Sequence, residues 1–170
     1  MKAEQQDNYQ VVKGFADMAC VYLVVGTGIG VYIASELAWP VLNFDNPYIS
    51  FGRLRPLHTN AVIFAFGGST LMATAFDIVQ RTCRTPLWSN KLAWFTFWGW
   101  NLVILSAVIT LPLGYTQSKE YAELEWPIDI WIAVVCMAYT LNLIITISIP
   151  PVSTTHVTNR FFIALMVIIT

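Results

Sequence analysis

The sequence predicts an all-α fold: a polytopic transmembrane helix bundle with four complete spans and a truncated fifth. Three observations carry this. The chain is 56% hydrophobic and only 11% charged, whereas a soluble domain carries about 25% charged residues. The charges cluster, and long apolar runs separate the clusters. Four of those runs reach the roughly 20 residues that a helix needs to cross a bilayer. The net charge is −1, and nucleic acid is not an expected partner; membrane lipid is.

Residues Met1 to Lys13 form a polar leader, read as cytoplasmic, and residues 14–170 form the membrane domain. The first apolar run is too long for a signal h-region and no small-residue cleavage site follows it. The first span is expected from Gly14 to Trp39. It contains Gly26-Thr27-Gly28-Ile29-Gly30. No strand precedes these glycines, so they are not a phosphate loop. Gly26 and Gly30 are four apart, on one helical face, where they let another helix approach closely. Asp17, near the inner end, reads as an interface or hydrogen-bonded residue rather than a proton carrier. Trp39-Pro40 ends the span, because proline cannot continue the hydrogen-bond ladder.

The second span is expected from Leu57 to Gln80, with Pro56 as a first-turn proline. The third runs from Lys91 to Leu113. Trp94, Trp98 and Trp100 crowd its first third, as an interfacial aromatic belt would. The fourth runs from Ile128 to Ile149 and Pro150-Pro151 stops it. A fifth run begins near Arg160 and covers too few residues to cross. The chain is therefore expected to be a fragment that further helices of the same subunit complete, or a protein whose partner chain completes the bundle. Cys20, Cys83 and Cys136 are far apart and odd in number, with no Cys-x-x-Cys pair. They read as structural thiols.

Lysine and arginine set the orientation. The leader, the second-to-third connection and the fourth-to-fifth connection hold Lys2, Lys13, Arg81, Arg84, Lys91 and Arg160. The other connections hold Arg53, Arg55 and Lys119. The positive-inside rule then puts the N-terminus in the cytoplasm. His58 lies near the outer surface and His156 near the inner one.

His58 is where the chemistry concentrates. A histidine inside a membrane helix is costly unless something uses it. On the same helical face follow Ala61, Val62, Ala65, Gly68, Ser69 and Met72. Most are small, as a groove for a porphyrin edge requires; small residues also serve helix packing. Arg53 and Arg55 precede His58. Arginine pairs with carboxylates in bidentate geometry, so heme propionates are one partner for them and lipid phosphates are another. His156 cannot share an iron with His58, because about 30 Å of hydrocarbon core separates the two surfaces. Met72 lies about 21 Å down the same helix. A second axial ligand has to come from other sequence, and His156 reads as a loop or helix-start residue.

The run Phe51-Gly52-Arg53-Leu54-Arg55-Pro56-Leu57-His58-Thr59-Asn60, continuing to Gly68, resembles the second helix of the catalytic subunit of cbb-type cytochrome c oxidases. These form the C family of heme–copper oxygen reductases. The resemblance continues in Glu36-Leu37-Ala38-Trp39-Pro40, in Val79-Gln80-Arg81-Thr82-Cys83-Arg84, in Leu92-Ala93-Trp94-Phe95 and in Gln117 to Trp126. It weakens from Ile147 to Asn159. Nitric oxide reductases share the fold and the histidine, but the other blocks resemble the oxidase.

The resemblance implies a heme–copper oxidase subunit I fold in a bacterial inner membrane. It implies that His58 is an axial ligand of low-spin heme b and that Arg53 or Arg55 contacts propionates. It implies a calcium ion held at the acidic connection, with Glu120 foremost and Glu123 and Glu125 less so. Oxygen ligands suit calcium; a solvated acidic loop is the other reading. The high-spin heme, the copper, the other low-spin ligand and the cross-linked tyrosine belong to later helices. The complete enzyme would take electrons from cytochrome c through membrane-anchored c-type cytochrome subunits, reduce oxygen to water and translocate protons. No catalytic residue for oxygen reduction is expected within these 170 residues. A non-catalytic scaffold of the same fold and a stand-alone b-type cytochrome are the alternatives.

Overall fold

The computed structural model describes residues 2–119, 122–149 and 157–169, and these form helices joined by turns. The helices are α1 (Lys2–Ala38), α2 (Phe51–Cys83), α3 (Asn90–Leu113), α4 (Trp126–Ser148) and α5 (Val157–Ile169). A 3₁₀ turn, Pro40–Asn43, follows α1. Four segments are long and apolar enough to cross a membrane: Tyr9–Ala38, Phe51–Cys83, Asn90–Leu113 and Trp126–Ser148. The four expected spans are therefore present.

Two of them begin earlier than expected. Helix α1 starts at Lys2 rather than Gly14, so the polar leader continues the helix. Its residues are good helix formers without proline or glycine, and polarity alone does not stop a helix. Helix α2 starts at Phe51 rather than Leu57. Extended Ser50 caps it, and its carbonyl accepts from the N–H groups of Arg53 and Leu54. Pro56 thus lies inside the helix and costs it one hydrogen bond.

The middle of α2, Asn60–Gly68, is π-helical. A π segment bonds i to i+5, and such segments concentrate at functional sites. Its burial follows that wider turn: Asn60 and Ala65 are buried five residues apart, and Ser69 follows after four. Steps of three and four counted down from His58 therefore do not describe one face.

Two apolar clusters hold the bundle. One joins Phe15 of α1, Phe76 of α2, Phe97 of α3 and Tyr139 of α4. Phe15 meets Phe97 edge-on at 5.1 Å and Phe76 meets Tyr139 at 5.0 Å. Such geometry adds about 0.5–1.5 kcal/mol per pair to area burial. The other joins Ile33, Leu54, Leu57, Val103, Leu111 and Leu124. It lies at the end of the bundle that carries His58.

A buried amide ties α4 to the start of α3. Asn142 is fully buried; its Oδ1 accepts from Ser89 N at 3.1 Å and its Nδ2 donates to Ser89 O at 3.0 Å. Asn142→Leu leaves the Ser89 N–H without its acceptor and takes one of two donors from Ser89 O, which keeps that of Ala93. The unmade N–H bond costs about 1–3 kcal/mol. The variant is expected to melt at lower temperature in detergent while Ser148→Ala, at an exposed hydroxyl, stays near the parent. A second close contact joins α2 to α3. A Cβ on Gly68 would lie 2.6 Å from Trp100 Cζ2. Gly68→Leu is expected to destabilise by about 1–3 kcal/mol through overpacking, read as a lower midpoint in detergent unfolding.

Candidate functional site

His58 sits seven residues into α2, and its ring is turned toward α1. Its Nδ1 is 2.8 Å from the carbonyl oxygen of Gly26. That carbonyl can only accept, so Nδ1 carries the proton and donates it. The lone pair is then on Nε2, which makes no hydrogen bond among the described residues. A second partner on Nδ1 that fixes tautomer and ring orientation is the usual condition of a metal-ligating imidazole. The residues present fit an axial ligand of heme on this count.

Helix α1 makes room for the ring. A Cβ on Gly30 would lie 2.6 Å from His58 Cε1, 3.0 Å from Nδ1 and 3.2 Å from Nε2. One on Gly26 would lie 3.1 Å from Val62 Cγ2 and 3.3 Å from Ala61 Cβ. The expected close-packing face of α1 is therefore present, and its neighbour is the histidine helix.

The small face below His58 is used in two ways. Ala61 and Val62 pack on Gly26, and Gly68 lies under Trp100. Ala61 and Ala65 border an apolar cleft of about 270 Å³ between α1, α2 and α3. Tyr22, Leu57, Trp100 and Val103 also line it, and His58 does not. The groove expected along one continuous face is thus divided, because the π turns rotate successive small residues onto different sides.

The two arginines part company. Arg55 borders a polar cleft of about 410 Å³ with Thr59, Thr116, Gln117, Ser118, Lys119 and Glu123. This cleft lies at the N-terminal end of α2, and Thr59 in its wall is next to His58. A pair of cations among hydroxyl groups suits carboxylates. Arg53 turns elsewhere, onto Gly114 at the end of α3, and its Nη1 is buried without a partner among the described residues.

Of the acidic connection, Glu123 and Glu125 are described and Glu120 lies outside the described residues. Glu123 Oε2 accepts from Asn60 Nδ2 at 3.1 Å, which ties the connection to α2 two residues past His58. Gln117 Nε2 donates to Leu124 O at 2.7 Å and closes the loop on itself. Glu125 precedes α4 as its cap residue. No cluster of three or more His, Cys, Asp or Glu side chains occurs among the described residues. His156 also lies outside them.

Sequence reasoning singled out His58 and both arginines but not the residues that seat them. Gly114 and Lys119 come to the site through the end of α3 and residues 115–119, and Asn60 joins it through its bond to Glu123. Only the Gly26/Gly30 spacing gave an advance signal.

The sequence matches the family Cytochrome C and Quinol oxidase polypeptide I over residues 10–170. It is 61% identical over 155 residues to the Cbb3-type cytochrome c oxidase subunit CcoN1 of Stutzerimonas stutzeri, covering 91% of this chain and 33% of that protein. It is 48% identical over 164 residues to the bacteroid Cytochrome c oxidase subunit 1 homolog of Bradyrhizobium diazoefficiens, covering 95% of this chain and 30% of that protein. Cytochrome c oxidase subunit 1 of Rhodobacter capsulatus is 48% identical over 149 residues, 86% of this chain and 28% of that protein. The chain spans about a third of the length of these relatives. It belongs to the cytochrome c and quinol oxidase polypeptide I family, where it corresponds to the amino-terminal part of a cbb3-type subunit.

Proposed function

We propose that this chain is the low-spin heme b side of a respiratory cytochrome c oxidase's catalytic subunit. His58 is one axial ligand, through Nε2. The observation that carries this is the Nδ1 contact to Gly26 O at 2.8 Å, which leaves Nε2 free to bind. Heme, when bound, supplies one-electron transfer between cytochrome c and the oxygen-reducing center. The protein's part is to hold the imidazole in one tautomer, make room for its ring at Gly30, and offer cations to the propionates.

Arg55 and Lys119, in the polar cleft one turn outward, suit a propionate. Arg53 supplies a second cation from the side of α3. Glu120, Glu123 and Glu125 remain the candidates for calcium, with Glu123 the one tied to α2. The N-terminus is cytoplasmic, and later helices of the same subunit supply the second ligand, the high-spin heme and copper. Membrane-anchored c-type cytochromes deliver the electrons.

Inactivating the coding sequence in its host tests this reading. Membranes should lose both low-spin heme b absorbance and oxygen uptake driven by reduced cytochrome c. Retention of both would point instead to a non-catalytic scaffold.

A further inference from the structure

We propose that Asn60 is a positioning residue for the axial imidazole: its side-chain amide bridges the turn that carries His58 to Glu123 of the connection between α3 and α4. The inference rests on the heme reading above and deepens it.

Asn60 is only 7% exposed. An amide buried at that depth has to be hydrogen-bonded, and this one uses both of its donors. Nδ2 donates to the carbonyl of Pro56 at 2.9 Å and to Glu123 Oε2 at 3.1 Å. Aspartate and leucine, of similar volume, offer neither donor.

The first bond closes a weak turn. Pro56 has no N–H and cannot donate to the turn before it, and α2 is π-helical from Asn60 onward. Between these two irregularities lies one turn, Pro56 to Asn60, with His58 at its centre. The main-chain N–H of Asn60 donates to Leu57 O and Pro56 O. The side chain brings a further donor to Pro56 O. The second bond ties this turn to a separate segment. Glu123 lies 63 positions further along the chain, and it borders the polar cleft. An N–H bond to a carboxylate is charge-assisted and the stronger for it.

Two anchors therefore hold the imidazole. Gly26 O accepts from Nδ1 at 2.8 Å and sets how the ring is turned. Asn60 fixes the backbone from which the ring projects. One does not replace the other: with the turn loose, the ring can stay bonded to α1 while its Cα moves and Nε2 leaves its place. Groups that orient a metal ligand from behind contribute about 10–100-fold to metal affinity.

The test is electron paramagnetic resonance of the oxidised, assembled, heme-loaded oxidase. The largest g value of a low-spin ferric heme follows the orientation of its axial imidazole. Heme loss to an external heme acceptor is measured alongside. Asn60→Leu should move the g value and speed heme loss about tenfold. Glu123→Leu, which leaves the bond to Pro56 in place, should move the g value in the same direction by less. The double variant should go no further than Asn60→Leu, because both remove one bridge. Glu123→Gln keeps an acceptor for Nδ2 and should hold the parental g value.

Parental g value and heme loss in Asn60→Leu would overturn the inference, as would fully additive shifts. A shift in Glu123→Gln equal to that in Glu123→Leu would also overturn it, since charge rather than the hydrogen bond would then act on the heme. If Asn60→Leu does not assemble, Glu123→Leu carries the test. Failure of both to assemble would assign the bridge to folding alone and overturn the positioning role. The heme reading fails separately, through retention of low-spin heme in His58→Ala.

Discussion

Replacing His58 with alanine is expected to abolish the low-spin heme b spectrum of the assembled oxidase while the polypeptide persists in the membrane. Iron held as proposed would lose its imidazole. No other histidine lies among the described residues, and Met72 is buried further along α2 in the aromatic cluster. The cost to the fold is smaller. The substitution removes one of the hydrogen bonds to the Gly26 carbonyl, which keeps its donor within α1, and such a bond is worth about 0.5–1.5 kcal/mol. The ring is only half-buried, which limits the cavity term. Reduced-minus-oxidised spectroscopy, normalised to subunit amount by immunoblot, reads the effect. Cytochrome c oxidation should fall with the heme, because electrons have no route past the site.

Gly30→Val should come close to the same loss without touching the ligand. Its Cβ would stand 2.6 Å from His58 Cε1, and the branched side chain leaves no rotamer clear of the ring. The ring must swing away, which breaks the 2.8 Å bond to Gly26 and releases the tautomer. That bond is worth about 0.5–1.5 kcal/mol, and overpacking adds about 1–3 kcal/mol. Since about 1.4 kcal/mol is tenfold in affinity, heme retention should fall by more than tenfold in Gly30→Val and by less in Gly30→Ala. Gly28→Ala is the control. It lies on the same helix with nothing within 4 Å of the added Cβ, and heme content should stay at the parental level.

What could be seen in the sequence follows from how local each feature is. Spans are local: composition over about 20 residues decides them, and Trp39-Pro40 punctuates the first. The start of α2 was misplaced because Pro56 resembles a first-turn proline, while Ser50 caps the helix from six residues upstream. The π segment has no local signature that periodicity can read. It runs between two close contacts, Ala61 and Val62 on Gly26 of α1 and Gly68 on Trp100. His58 was legible as a misplaced polar residue, and Gly26/Gly30 as a packing face. That the two meet is a tertiary fact. The separation of Arg53 from Arg55 is another: two positions apart on a helix point to different sides, and only the placement of α3 and of residues 115–119 says what each side holds.

The central claim is that His58 Nε2 binds iron. Near-infrared magnetic circular dichroism of the oxidised His58→Met enzyme tests it most directly, because the low-spin charge-transfer band reports the axial ligands themselves. The account predicts that the band moves to the position of a thioether-ligated heme, or vanishes with loss of the low-spin state. A full complement of low-spin heme with the band at its parental position would contradict it.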